Sequence, residues 1–253
     1  FGAQQPVSQK QKKQEKENQI PRVDIKKEYQ RAMQTGKTVR CRLIRRRQFV
    51  EDDEGDSHFR RCESQFMRSS QRSIQYNMMM AGGAYGAASK SQGMDGLNRT
   101  INEVEYVINP SLITRFERKK QALMDKYEYT DESQLNIVLA WHGTKRKNID
   151  SIVENNFDLN RLSVNSGDTG WYGCGIYFSE YASISSGYGD GLLLCKVILG
   201  KSYRMSTAHK QTGRGLQAGF DSHLVVGDSH SQYGQEIVIF DVDQILPCYI
   251  IKY

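Results

Sequence analysis

Residue types that can bind and activate a flat, polar ligand occur at the edges of predicted strands. The apolar run Ile137–Ala140 leads into His142 and Gly143, and Gly173-Cys174-Gly175 leads into a second apolar strand that carries Tyr177. Imidazole and phenol groups donate and accept hydrogen bonds, and glycine lets a ligand approach the backbone closely. These residues predict part of a pocket for a flat, polar ligand.

Three further residues can complete such a pocket. Ser185 and Tyr188 are three apart on a predicted helical turn, which places them on one face. Glu236 begins the otherwise apolar strand Ile237–Phe240. Taken singly, each candidate also has a structural explanation: His142 as a strand-end histidine, Tyr177 as a half-buried strand aromatic, and Glu236 as a solvated strand start.

Several other motifs fail on their context. The spacing of Cys41 and Arg47 matches a cysteine phosphatase loop, but the intervening Leu-Ile-Arg-Arg cannot bring backbone N–H groups together around a phosphate. Gly173-Cys174-Gly175 precedes a strand instead of joining a strand to a helix, which argues against a dinucleotide fingerprint. The five cysteines are widely spaced without a CxxC pair, so we expect neither a disulfide framework nor a zinc site.

Composition divides the chain near residue 100. The chain has 253 residues and a net charge of +6, and the excess of Lys and Arg lies in residues 1–100. That segment is polar and without clear periodicity, so we expect a flexible linker or part of an upstream segment, with the folded core in 101–253. Its charge permits weak nucleic-acid contact. Because the chain begins at Phe1, we expect a fragment of a longer protein.

Local patterns predict mixed helices and strands. In the first segment a short helix over 24–34 and a short basic strand over 38–50 are the only candidates. Asn109-Pro110 predicts a helix start, followed by apolar residues at helical spacing to about Lys126. Strands cluster toward the C-terminus with short connections, which favours an α+β fold with antiparallel pairing. No secretory signal or bilayer-spanning run is present, so we expect no membrane contact and a nuclear or cytoplasmic location.

The combined motifs resemble a known family. His-Gly-Thr, Gly-Cys-Gly-Ile-Tyr-Phe-Ser, Ser-x-x-Tyr and a strand-opening Glu are similar in order and spacing to the catalytic domain of poly(ADP-ribose) polymerases. The likeness covers about 101–253 and identifies a diphtheria-toxin-like ADP-ribosyltransferase of the His-Tyr-Glu type. It implies a split antiparallel β-sheet with flanking helices, preceded here by a largely irregular basic segment.

The resemblance implies that NAD is the co-substrate, that no metal is needed, and that acceptor proteins include the enzyme itself. His142 would bond the adenosine ribose, and Gly143 would hold the nicotinamide amide through its backbone. Tyr177 and Tyr188 would stack on opposite faces of the nicotinamide ring, and the Ser185 hydroxyl would complete the amide clamp.

The catalytic residues implied in this way are Glu236, His142 and Tyr177. Glu236 would bond the nicotinamide ribose and orient or deprotonate the incoming nucleophile. The polar loop 159–171 would line the adenine and diphosphate side, with Arg161 and Tyr172 as candidate contacts.

The glutamate stands one residue farther from the preceding tyrosine than is usual in the family. A one-residue slip of the strand would place Gln235 in the catalytic position, so that alternative stays open. Two other hypotheses also remain: a non-catalytic NAD- or ADP-ribose-binding scaffold, and a module tethered to nucleic acid by the basic arm. The sequence does not decide between mono- and poly-transfer, and it does not name the acceptor residue, the target protein or the oligomeric state.

Overall fold

The computed structural model describes residues 22–46, 52–81, 100–162, 170–226 and 236–253. In these ranges the helices are α1 (Ile25–Thr35), α2 (Glu54–Ala81), α3 (Pro110–Tyr127), α4 (Arg146–Asn155) and α5 (Ala182–Ser185). The strands are β1 (Val39–Ile44), β2 (Glu103–Ile108), β3 (Ile137–Thr144), β4 (Ile176–Phe178), β5 (Gly191–Ile198), β6 (Ser202–Ser206), β7 (Ser222–Val226), β8 (Glu236–Ile239) and β9 (Ile245–Lys252).

The strands form two sheets. The first has the order β1-β2-β9-β5-β3 and is antiparallel throughout, and the second has the order β4-β8-β7-β6. They meet where the Trp141 N–H donates to the Ser179 carbonyl (2.8 Å) and the Ser179 N–H donates to the Trp141 carbonyl (2.9 Å). The predicted α+β class with a split sheet is confirmed.

One strand pair departs from the antiparallel expectation. β6 and β7 run parallel, with Ser202 opposite Ser222 and Met205 opposite Val225. A parallel pair needs a long crossover instead of a hairpin, and the connection 207–221 supplies it. β6 was not predicted from the sequence, because its residues Ser202–Ser206 are mostly polar.

The start of α3 follows the predicted capping chemistry. The Asn109 side chain accepts a hydrogen bond from the Leu112 N–H (3.2 Å), and Pro110 occupies the first turn, where its missing N–H costs nothing. The Asn109 amide also donates to the carbonyls of Val153 and Glu154. This buried side chain therefore joins the start of α3 to the end of α4.

Within the described residues, 25–46 and 52–66 pack into the folded core, whereas the sequence led us to expect a flexible linker or part of an upstream segment. Val39, Cys41 and Leu43 are buried on one face of β1, which pairs with β2. On α2, Phe59, Cys62 and Phe66 are buried at helical spacing. The sequence predicted a short basic strand over 38–50 but not its burial, because arginines alternate with the apolar residues of β1. It did not indicate α2, because charged residues surround the apolar residues of that helix. Residues 1–21 and 82–99 lie outside the described residues.

Arginines of this segment already face carboxylates. The Arg40 guanidinium lies 2.7 Å from Asp150, and Arg42 lies 2.6 Å from Glu103, so β1 carries its charge into ion pairs with β2 and α4. These pairs leave less free positive charge for nucleic acid than the composition suggested. Among the described residues, no helix is long and apolar enough to cross a membrane.

Candidate active site

The predicted site residues come together in one cavity between the two sheets. The cavity has a volume of about 960 Å³. Strands β3, β4 and β8 line it, together with α5 and the turn that follows α5. The residues predicted to act in catalysis or to bind the nicotinamide and ribose groups contribute to its wall: His142, Gly143, Tyr177, Ser185, Tyr188 and Glu236.

β3 presents backbone hydrogen-bonding groups to this cavity. It is the edge strand of the first sheet, and its pairs with β5 alternate between hydrogen-bonded and non-hydrogen-bonded. The N–H and C=O of Trp141 point away from β5, because both bond Ser179. By the two-residue alternation of a strand, the N–H and C=O of Gly143 face the same side. A donor and an acceptor on one residue match the two halves of a carboxamide.

Gly143 also permits the close approach of α5. A Cβ atom at this position would stand 1.6 Å from the Ser185 carbonyl oxygen, so no residue with a side chain fits without movement. The Ser185 hydroxyl donates to the Trp141 carbonyl at 2.9 Å and is buried. Because that bond uses its only proton, the hydroxyl keeps lone pairs with which it can accept from a ligand amide.

The imidazole of His142 is held in one tautomer. Its Nδ1 lies 2.8 Å from the Tyr177 carbonyl, which can only accept, so Nδ1 carries the proton. Burial lowers the pKa of His142 to about 4, an effect that the bond to Tyr177 partly opposes. At neutral pH the ring is therefore uncharged, and Nε2 is an acceptor suited to a ribose hydroxyl.

Tyr177 is fixed at both ends of its side chain. Its backbone lies in β4 opposite Val238, and its hydroxyl donates to the Gly173 carbonyl (3.0 Å) while accepting from the Tyr172 N–H (2.9 Å). Gly173 has φ 126°, a conformation that side chains rarely allow. These bonds hold the ring as a rigid wall of the cavity.

Tyr188 and Glu236 approach each other across the cavity. The Tyr188 side chain is 53% exposed, and its hydroxyl lies 3.5 Å from the Glu236 carboxylate, too far for a strong hydrogen bond. Glu236 opens β8 opposite Val225, two residues before Val238. Gln235, the alternative catalytic position, lies outside the described residues.

The predicted adenine contacts differ from each other. Arg161 lines the cavity and pairs with Asp158 at 3.3 Å. Tyr172 is only 7% exposed and does not belong to the described lining, since its hydroxyl donates to the Thr207 carbonyl at 3.2 Å. The prediction for Tyr172 is therefore not supported. Residues 163–169 of the same loop lie outside the described residues.

A comparison of the sequence with models of known families identifies one family. The sequence model described as the poly(ADP-ribose) polymerase catalytic domain matches residues 86–249. The chain belongs to this family. Membership supports NAD as the substrate and ADP-ribosyl transfer as the general type of activity. In the described part of the chain, no group of three or more His, Cys, Asp or Glu is placed to hold a metal.

Part of helix α2, which precedes the residues 86–249 matched by the family model, packs against the site. Phe66 of α2 packs edge-on against Trp141, with ring centroids 5.9 Å apart, and the Gln65 amide donates to the Leu139 carbonyl. α2 thus backs the strand that carries Gly143. Neither this role nor that of Phe157, whose ring packs edge-on against His142 at 4.7 Å between centroids, was predicted from the sequence. The helical spacing of Phe59, Cys62 and Phe66 was the available signal.

Proposed function

We propose that this chain is an NAD-dependent protein ADP-ribosyltransferase that attaches ADP-ribose to an acceptor side chain and releases nicotinamide. The observation that carries the proposal is the convergence of the backbone of Gly143, the rings of Tyr177 and Tyr188, and the carboxylate of Glu236 on one cavity. Family membership supports the general activity, and the cavity supports its assignment to these residues.

Binding of the nicotinamide end follows from the groups on β3 and α5. The N–H and C=O of Gly143 hold the amide, and the Ser185 oxygen accepts from it. The ring lies between Tyr177 and Tyr188, and each aromatic pair contributes about 0.5–1.5 kcal/mol beyond burial. Glycine at position 143 lets α5 lie this close to β3, because a Cβ there would stand 1.6 Å from the Ser185 carbonyl oxygen.

Glu236 supplies the charge that the transfer needs. The bond between the ribose C1′ and the nicotinamide nitrogen breaks, and a new bond forms between C1′ and an acceptor oxygen. The Glu236 carboxylate stabilises the positive charge that develops on the ribose and accepts the proton of the incoming nucleophile. Neutral His142 accepts from a hydroxyl of the adenosine ribose and holds the other end of the substrate.

The decisive experiment compares the 253-residue chain with its Glu236→Gln variant. We expect the unmodified chain to label itself with ADP-ribose from labelled NAD. The variant should lose about 10²-fold or more of this transfer and bind NAD within a few-fold of the unmodified chain. Glu117→Gln is the matched control, since it removes the same charge from an exposed site on α3.

The products also separate the remaining possibilities. Separation by size should give a discrete shift for transfer of one ADP-ribose and a ladder for polymer. NAD binding without label in the unmodified chain would instead support the non-catalytic scaffold. Equal transfer by the Glu236→Gln variant and the unmodified chain would remove Glu236 from the mechanism.

A further inference from the structure

The connection between β6 and β7 is a cationic loop beside the cavity. From Lys201 to Phe220 the sequence contains no Asp or Glu. Residues 207–219, called here the cationic loop, include Lys210 and Arg214, both exposed. In the described part of the chain, neither side chain takes part in an ion pair: the Lys210 ammonium lies 4.1 Å from the ring centroid of Trp171, and Arg214 contacts Gln211 at 3.4 Å.

The cationic loop leaves its sheet at the edge where Glu236 stands. Met205 of β6 is opposite Val225 of β7, which is opposite Glu236 of β8. Two strand spacings therefore separate Met205 from Glu236, roughly 10 Å between backbones. Ser206 follows Met205 and ends β6, so the loop begins beside the carboxylate.

Hydrogen bonds attach the loop to the cavity wall. The Cys174 N–H donates to the Arg214 carbonyl (2.7 Å), and the Gln211 N–H donates to the Trp171 carbonyl (2.7 Å). Gly213 and Cys174 both line the cavity. The Tyr172 hydroxyl bonds Thr207 (3.2 Å), and the pKa of Tyr172 is raised by burial and by the charge of Glu236. Tyr172, which bonds the loop, is thus within electrostatic reach of the carboxylate.

We propose that Lys210 and Arg214 bind acidic residues that flank the acceptor side chain of a protein substrate. This inference rests on the proposed transferase function. An acidic acceptor segment is repelled by Glu236, and two cations at the same edge, which form no ion pair with any residue that the structure describes, offset that repulsion. Guanidinium and ammonium groups pair well with carboxylates, and the half-exposed indole of Trp171 adds an apolar surface for the peptide.

The test uses two peptides of equal length with one acceptor residue, flanked by Asp in the first and by Asn in the second. For the unmodified chain we expect a KM about tenfold lower for the Asp peptide at low salt, equal to about 1.4 kcal/mol. The Lys210→Gln/Arg214→Gln variant should lose this preference and keep the same KM for NAD. The Lys210→Glu/Arg214→Glu variant should favour the Asn peptide.

Arg204→Gln is the matched control. Arg204 lies on β6 opposite Leu224, whose side chain packs in the core on the other face from Val225. The Arg204→Gln change removes one positive charge, against two in the Lys210→Gln/Arg214→Gln variant, from the face away from Glu236, so the peptide preference should persist. High salt should weaken the preference for the Asp peptide, because the Debye screening length falls from about 10 Å at 0.1 M to about 3 Å at 1 M ionic strength.

The outcomes separate this proposal from the transferase function. Equal KM values of the unmodified chain for the two peptides would overturn the peptide surface and leave the transferase intact. A raised KM for NAD in the Lys210→Gln/Arg214→Gln variant, with the peptide preference unchanged, would assign the cations to NAD instead. Binding of the fluorescent Asp peptide is measured in parallel without NAD. Selective binding by a chain that transfers no ADP-ribose would support the surface and remove the transferase.

Discussion

Replacing Gly143 with alanine tests the amide clamp directly. The new Cβ would stand 1.6 Å from the Ser185 carbonyl oxygen, whereas Cβ atoms essentially never come within 3.0 Å of a non-bonded heavy atom. The backbones of β3 and α5 must then separate by at least the difference, about 1.4 Å. That movement breaks or weakens the 2.9 Å bond between the Ser185 hydroxyl and the Trp141 carbonyl.

Gly143→Ala should lower the free energy of unfolding only modestly but weaken ligand binding strongly. Overpacking of a well-packed site costs about 1–3 kcal/mol of unfolding free energy, which a folded chain survives. A displacement of about 1 Å in a binding constellation costs on the order of 10²-fold in activity. We therefore expect a folded Gly143→Ala chain whose affinity for NAD and for free nicotinamide is lower by about 10²-fold.

The assay combines nicotinamide titration by calorimetry with urea unfolding of the same preparations. Gly187→Ala is the matched control, because a Cβ at Gly187 meets no atom within 4 Å although it lies two residues beyond Ser185. The control should bind nicotinamide as the unmodified chain does. A stably folded Gly143→Ala chain with unchanged affinity would refute the clamp, since the backbone of β3 would then not need the close approach.

Three further predictions concern the groups around the clamp. Burial lowers the pKa of His58 and of His142 to about 4, below the ordinary 6.5. Their neutral forms therefore stabilise the fold fully above pH 6.5, and this stability is lost as pH falls toward 4. Urea titration should show a decline that reaches about 3 kcal/mol for His142, with little change from pH 6.5 to 8. Phe66→Ala should lower the unfolding free energy by about 3–5 kcal/mol and weaken NAD binding through Trp141, and destabilisation with unchanged affinity would contradict that coupling. Tyr188→Phe should retain NAD affinity while Tyr188→Ala loses about three- to tenfold, and equal losses would argue against stacking.

The sequence indicated the fold class and the elements that carry the candidate site residues, but it did not indicate the helix that packs behind them. His142, Gly143 and Tyr177 lie at strand edges that apolar runs define, and Ser185 and Tyr188 follow from the spacing of one helical turn. Such local patterns involve only a few neighbouring residues, so they can be recognised in a single sequence. The contribution of α2 to the site depends instead on packing between distant segments, as in the contact of Phe66 with Trp141, and no local pattern encodes that partner.

The burial of the N-terminal segment was hidden in the sequence for a related reason. A short basic strand over 38–50 was predicted, but the partners of Arg40 and Arg42, Asp150 and Glu103, lie far away in the sequence. Composition gives the number of charged residues in a segment but not which of them form ion pairs in the fold. The cationic loop shows the opposite case, because the lack of carboxylates between Lys201 and Phe220 was visible in the sequence and only the register of β6 gave it a position.

The burial of Ile237 and Ile239 favours the strand register that places Glu236, not Gln235, at the cavity. Tyr177 of β4 is opposite Val238, so both side chains lie on one face of the sheet, and Glu236, two residues earlier, shares that face. Ile237 and Ile239 fill the core on the other face with no exposed surface. A one-residue slip would turn both isoleucines toward the cavity, at a cost of about 1.5–3 kcal/mol each, and would place the glutamate in an apolar core. The apolar residues of β8 thus hold in place the carboxylate that we propose for catalysis. Ile237→Val should lower the free energy of unfolding while Glu236 stays at the cavity.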